Sequence, residues 1–302
     1  MAGKGYTFSV ADIAFKVVFR NGSDALTGSM QQYEPFEVKE GIDKTCFTLE
    51  VSEQEMRNEQ PIDSYGKPLV DLEEEGIGMR IYEYGEELEI SLSLATEHDA
   101  HCLIHTDKRF ERATLCVVGS PRARLFGLNN ALMMLFAFYG ARHHILVLHA
   151  SAVVCRQRGY LFLGKSGTGK STHAALWLKH IAGTSLLNDD DPVVRVTEQG
   201  DIVVYGSPWS GQTPCYINGQ ARVGGFVRLW QAPYNRIERL SAVKAYAALL
   251  PSITSMIWER SLSDAIHHTL NTILEKNPVF QLECRADEEA AKLDAGELIV
   301  DS

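Results

Sequence analysis

The feature that most limits what this chain can become is the run Gly164-Lys165-Ser166-Gly167-Thr168-Gly169-Lys170-Ser171-Thr172. Three glycines within six positions weaken any regular helix or strand and favour left-handed turns. The run is preceded by Gly159-Tyr160-Leu161-Phe162-Leu163, a short apolar stretch of strand character. Residues 173–181 follow at helical spacing, and Gly183 supplies a stop. Strand, glycine loop and helix in that order aim backbone N–H groups at one point, with the positive end of the helix behind them. Gly164, Gly169, Lys170 and Ser171 fit the spacing G-x-x-x-x-G-K-[ST], in which the lysine neutralises β- and γ-phosphate charge and the hydroxyl ligates Mg²⁺. A Gly/Ser turn that holds no ligand is the alternative reading of the same residues.

Composition narrows the partners. The chain has 302 residues, of which 45% are hydrophobic and 23% charged, ordinary proportions for a globular protein. A net charge of −10 and the lack of any basic run argue against nucleic acid or an anionic membrane as partner. A nucleotide polyphosphate is compatible with that charge, because a local nest binds it whatever the global balance. The six cysteines (Cys46, Cys102, Cys116, Cys155, Cys215, Cys284) are scattered with no C-x-x-C pair, the pattern of free thiols in a reducing compartment. Residues 1–6 show no secretory signal, and the most apolar stretch, 125–139, holds Asn129 and Asn130 and is too short to span a bilayer. A cytoplasmic location is the expectation.

An α/β chain is expected, in three parts. Residues 1–119 form a strand-rich domain, with strand patterns at 8–13, 15–19, 46–51, 79–84, 88–94, 101–104 and 113–118. Asn21-Gly22 offers a turn, and the polar, acidic stretch 52–76 reads as a long surface loop. Ser120 and Pro121 are suited to open a helix, which continues over 122–138 and stops near Gly140, so that 120–143 is a connecting helix. Residues 144–302 form the nucleotide-binding domain, with a strand-like run at 145–154, strands at 193–196, 202–205 and 225–230, and helices at 242–250, 253–274 and 287–293.

A phosphate cradle alone binds; transfer also needs carboxylates for the metal and a base for an attacking hydroxyl. Asp189-Asp190-Asp191 follows the apolar pair Leu186-Leu187, downstream of the glycine-loop helix, where an acid at a neighbouring strand end would face the phosphates. Adjacent carboxylates repel, so one on the metal and one accepting the proton is an economical division. The alternative is a solvated acidic turn before Pro192. His149 lies in the strand-like run, about ten residues upstream of the glycine-loop strand, a spacing of one strand plus a turn. It is either a site residue or a satisfied core histidine.

Leu148-His149-Ala150-Ser151-Ala152, the strand and glycine loop, and Leu186-Leu187-Asn188-Asp189-Asp190 resemble, in order and spacing, the HPr kinase/phosphorylase and PEP carboxykinase superfamily. The likeness covers about residues 145–192 and points to an uncharacterised bacterial HPr-kinase-like branch. It implies a mixed-sheet P-loop core rather than an all-parallel one. It implies that His149 lies near metal and transferred phosphate, that Lys170 binds phosphate, that Thr172 meets the α-phosphate, and that Ser171 and Asp190 serve the metal. Asp189 is then favoured as the base. The chain departs from PEP carboxykinases in lacking recognisable residues for oxaloacetate, and from HPr kinases in lacking their second signature.

The resulting expectation is an ATP- and Mg²⁺-dependent kinase, with GTP as the other nucleotide. Its acceptor would be a hydroxyl on a small molecule or on a protein or peptide serine, and a homo-oligomer is implied by the resemblance. The rival readings are a nucleotide-binding adaptor without catalysis and a PEP carboxykinase-like enzyme. Two further groups are weaker. Gly206-Ser207-Pro208-Trp209-Ser210-Gly211 reads either as a loop closing over substrate or as a tight loop with Trp209 in the core. His98, His101 and His105 with Cys102 do not converge on one side of a strand pair, which argues against a metal site.

Overall fold

The computed structural model describes residues 4–20, 26, 28, 30–39, 45–52, 67–74, 77–94, 96–211, 214–255 and 259–300. It is α/β, with two mixed sheets and several helices, and the chain divides into two compact units, 1–139 and 140–302.

The first unit is built on an eight-stranded sheet. Its strands are β1 (Lys4–Val10), β2 (Ile13–Phe19), β3 (Phe47–Ser52), β4 (Val70–Glu74), β5 (Ile77–Tyr84), β6 (Glu87–Leu94), β7 (Glu97–Asp107) and β8 (Arg112–Val118). Their order is β1-β2-β3-β8-β7-β6-β5-β4. Among the described residues, only the β2–β3 and β3–β8 pairings are parallel. The run expected as one strand over 8–13 is instead the turn of a hairpin. Ala11 and Asp12 both take positive φ, 48° and 62°, the demand of a two-residue connection whose twist matches its strands. Part of the expected acidic loop is strand β4, and the Asn21-Gly22 turn lies outside the described residues. Helix α1 (Pro121–Ala141) lays Phe136, Phe138 and Tyr139 against Phe15, Phe110 and Phe47 of this unit. Ser120 caps it, its Oγ accepting from Ala123 N at 3.2 Å.

The second unit contains β9 (Ile145–Val147), β10 (Ala150–Cys155), β11 (Arg158–Leu163), α2 (Lys170–His180), β12 (Thr184–Asp190), β13 (Val193–Val196), β14 (Ile202–Tyr205), β15 (Gln220–Gln231), β16 (Arg236–Arg239), α3 (Ala242–Leu249), α4 (Arg260–Lys276), β17 (Val279–Cys284) and α5 (Glu288–Val300). The main path of its sheet is β12-β10-β11-β15-β14-β13-β9, with β17 joining β15 and β16. Helix α4 starts later than expected. Ile253 bridges to Leu148 instead, and Glu259 accepts from Ser261 N and Leu262 N at the helix start.

The sheet cannot be flat. Strands β9 and β10 stand five places apart, about 24 Å at the usual strand spacing. Val147 and Ala150 are three residues apart, which the chain can span by at most about 11 Å. The sheet therefore curls until its two edges approach; Leu148 N donates to Pro192 O at 3.1 Å, one step beyond the β9–β13 ladder. One face of the sheet packs against α2 and α5 through Tyr160, Phe162, Trp177, Val227, Leu229, Leu282 and Leu298, all nearly inaccessible to water.

Candidate functional site

Three neighbouring strands deliver the site. Strand β10 runs antiparallel to both β11 and β12, with Ala150 opposite Leu163 on one side and opposite Asp190 on the other. The start of β10 thus meets the ends of β11 and β12 at one edge of the sheet. His149 precedes β10, the glycine loop follows β11, and the acids close β12. The hairpin that enforces the antiparallel turn is again two residues long, Arg156 and Gln157 at φ 49° and 66°.

The glycine loop takes the shape its sequence predicts. Gly164, Gly167 and Gly169 all have positive φ, and nothing lies within 4 Å of a Cβ placed on Gly167 or Gly169. Thr168 folds back, its N and Oγ1 both donating to Lys165 O. Lys165, Ser166 and Gly167 form the exposed crest. Gly169 is the N-cap of α2 and has no side chain to occupy the first-turn N–H groups, which leaves them open to an anion. Ser171 and Thr172 are exposed in that first turn.

Lys170 is 8% exposed. Its Nζ donates to Gly164 O at 3.0 Å and lies 2.8 Å from His149 Nε2. The other ring nitrogen, His149 Nδ1, is 3.0 Å from Asp190 Oδ1. An ammonium can only donate, so Nε2 accepts and Nδ1 carries the hydrogen that goes to Asp190. The backbone of His149 is fixed from beneath by its own N–H on Ser252 O at 2.7 Å. Ser252 ends a short 3-10 turn after α3, an element with no signal in the sequence around the site.

The three consecutive acids have three different environments. Asp189 is 6% exposed, and its Oδ1 accepts from Ser151 Oγ at 2.7 Å. Asp190 stands on His149. Asp191 is partly buried, and its pKa is pushed up to about 7, first by burial and then by Asp190, against the opposing pull of His149 and Lys170. Asn188, fully buried, organises the group: its Oδ1 accepts from the N–H groups of Asp190 (3.0 Å) and Asp191 (2.9 Å). Its Nδ2 donates to Trp209 O at 2.9 Å and Ser207 Oγ at 3.1 Å. Sequence reasoning passed over Asn188, whose one signal was a short amide placed just before the acids.

The loop at 206–211 is thereby tied to the acids, and Trp209, 4% exposed, is packed inside. Gly206 passes where a Cβ would stand 2.0 Å from Ile217 O, and Gly211 where one would stand 3.1 Å from Asp190 Oδ2. A second group that the sequence hid supports α2 from behind. His173 Nε2 and Trp177 Nε1 lie 2.8 and 2.9 Å from the two oxygens of Asp294 in α5, all three residues buried.

The donors fit a nucleotide and a divalent cation. A buried ammonium sits beside an open nest of N–H groups, and the neighbouring Asp190 pushes the pKa of Asp191 up, a repulsion that a cation relieves. Among the described residues no group of three or more His, Cys, Asp or Glu is arranged to hold a metal; Mg²⁺ at phosphates typically takes only one or two carboxylates. His105 pairs with Glu89 at 3.4 Å, while the side chains of His98 and His101 lie outside the described residues. None of the six cysteines is in a disulfide. No helix among the described residues is long and apolar enough to cross a membrane.

No protein-family model and no curated protein matches the chain. Among solved structures it is similar to the HPr(Ser) kinase/phosphatase from Coxiella burnetii, at 16% identity and a TM-score of 0.28, over 51% of this chain and 88% of that one.

Proposed function

We propose that the chain is an ATP- and Mg²⁺-dependent phosphotransferase of HPr-kinase-like, PEP carboxykinase-like P-loop type. It would move a γ-phosphate to a hydroxyl acceptor, a small molecule or a peptide or protein serine. The observation that carries this reading is the continuous path Lys170–His149–Asp190 beside the glycine loop, with contacts of 2.8 and 3.0 Å.

Each residue then has a task. The N–H groups of 165–171 bind the polyphosphate, and Lys170 neutralises its outer charge. Ser171 and the carboxylate of Asp191 would hold Mg²⁺, whose contribution when bound is to offset charge on the transferred group. The sequence reading paired Asp189 as base with Asp190 on the metal. The contacts favour a pair one residue further on, because Asp189 is turned to Ser151 whereas Asp190 and Asp191 both share the surroundings of His149 and Lys170. Asp190 accepts the proton of the attacking hydroxyl, and His149 holds that carboxylate in place through Nδ1–H.

The test is a screen of hydroxyl acceptors with γ-labelled ATP and Mg²⁺. The proposal expects transfer by the wild type that is lost in Lys170→Ala. Absence of transfer to every acceptor class, or equal transfer by Lys170→Ala, overturns it. Tight nucleotide binding without transfer would identify the non-catalytic adaptor instead.

A further inference from the structure

The sheet of the first unit carries a cavity of about 650 Å³, within the size range of small-molecule sites. Strands β3, β6, β7 and β8 line it. Their register sets Glu89, His105, Thr114 and Glu50 in one row across the sheet, and Glu87 opposite Asp107 in the next. The lining mixes carboxylates, an imidazole and a guanidinium with threonine methyls and Ala113. Neighbouring positions on the same strands, Leu49, Leu88, Ile90, Ile104 and Leu115, turn to the other face and are buried there.

Some of the charges around this cavity are already matched. Glu50 accepts from Arg20 Nη2 at 2.7 Å and Nε at 3.1 Å. Asp107 accepts from the N–H groups of Arg109, Glu111 and Arg112 and stands 3.5 Å from Arg112 Nε. Glu87 and Glu89 differ. Glu87 is exposed, and no lysine or arginine pairs with it among the described residues. Glu89 is 2% exposed. Its Oε2 lies 3.4 Å from His105 Nε2, whereas its buried Oε1 has no hydrogen-bond partner. Strand alternation puts Glu89 on the face of Glu87, and the contact with His105 sets its carboxyl against the cavity wall. Burial raises the pKa of this carboxyl, against the pull of His105. A buried oxygen left bare costs stability, and a donor brought by a ligand removes that cost.

We infer that this cavity binds a small organic cation, an amine or guanidinium compound, whose N–H groups go to Glu89 Oε1 and to Glu87. A cation fits because these two carboxylates lack a lysine or arginine partner, while Arg20 and Arg112 already stand on Glu50 and Asp107. An organic cation fits better than a metal ion, because no three His, Cys, Asp or Glu among the described residues are arranged to hold one. The site lies wholly within the first unit and does not depend on the nucleotide reading.

Calorimetric titration of the full chain with agmatine and with spermidine tests this, with triethylene glycol as the uncharged control. The wild type binds at least one of the two cations one-to-one with Kd below about 1 mM, and does not bind the control. Glu89→Gln, equal in shape, weakens that binding at least about tenfold. Its unfolding midpoint does not fall, because the amide replaces a carboxylate that the empty site leaves half-satisfied. Thr114→Trp, between His105 and Glu50 on the same face, fills the cavity and weakens binding as much. Failure of both cations to bind, equal binding of the glycol, or an affinity that survives both substitutions overturns the inference. So does a lower unfolding midpoint in Glu89→Gln, which would make the carboxylate a structural partner of His105.

Discussion

Lys170 Nζ lies 2.8 Å from His149 Nε2, so the ammonium of the glycine loop and the imidazole that orients Asp190 share one hydrogen. His149 precedes β10 and Lys170 opens α2 after the glycine loop, 21 positions on; they meet because β10 is antiparallel to β11. Any anion that draws Lys170 toward the loop's N–H groups also frees Nε2 of His149. Occupation of the nest and the state of the acid are thereby linked through one side chain.

That link assigns different weights to neighbouring acids. Asp190→Asn is expected to lower phosphate transfer by about 10³-fold, the usual worth of a positioned base. Asp189→Asn keeps an oxygen for Ser151 and is expected to stay within about tenfold of the wild type. Steady-state rates of the two purified variants decide it, and the reverse order would return the base to Asp189.

The loop at 206–211 makes two glycines distinguishable. Alanine at Gly206 drives a Cβ into the carbonyl of Ile217, and urea unfolding should show a loss of about 2–3 kcal/mol. Alanine at Gly211 meets Asp190 Oδ2 at 3.1 Å and needs only a small shift. Its stability should change by less than about 1 kcal/mol, while transfer falls about tenfold because Asp190 is displaced.

Asp294 anchors α2 without touching the glycine loop. Asp294→Ala leaves the buried donors of His173 and Trp177 unpaired, each a loss of about 1–3 kcal/mol. Chemical denaturation should give a total of about 2–5 kcal/mol, and Asp294→Asn, which keeps one oxygen, should lose less. An unchanged midpoint in Asp294→Ala would show that the pair contributes nothing to holding α2.

Much of this was legible in the chain, and the gaps have physical causes. The glycine loop and α2 could be read because turn chemistry and helical spacing are local. Strands 193–196 and 202–205 could be read because their apolar runs are bounded by polar turns. Which of three consecutive acids faces Lys170 could not be read, because a strand alternates its faces and one residue of register reverses them. The register of β10 against β12 also shifts between Ala152 and Val153. Asp294 was hidden for another reason: its partner His173 is 121 positions away, and only the packing of α5 on α2 joins them. The apolar run after Pro251 resembled a helix, but its first residues are taken by the bridge from Ile253 to Leu148 that helps fix His149.

Asp191 gives stability a pH dependence of known sign. Its folded pKa of about 7 lies above the ordinary value of 3.8, so the folded state binds the proton more tightly than the unfolded one. The contribution is complete below about pH 4 and is lost as pH rises through about 7. Unfolding midpoints measured with EDTA between pH 5 and 8 should therefore fall more steeply in the wild type than in Asp191→Asn. Parallel curves would contradict the assignment.

The most direct measurement is a crystal structure of the protein with Mg²⁺ and a non-hydrolysable ATP analogue at saturation. The account predicts phosphates on the N–H groups of residues 165–171, Lys170 Nζ withdrawn from His149 onto the outermost phosphate, and Asp190 facing that same phosphorus. An analogue bound elsewhere, or a loop left bare with the Lys170–His149 contact intact, would contradict it.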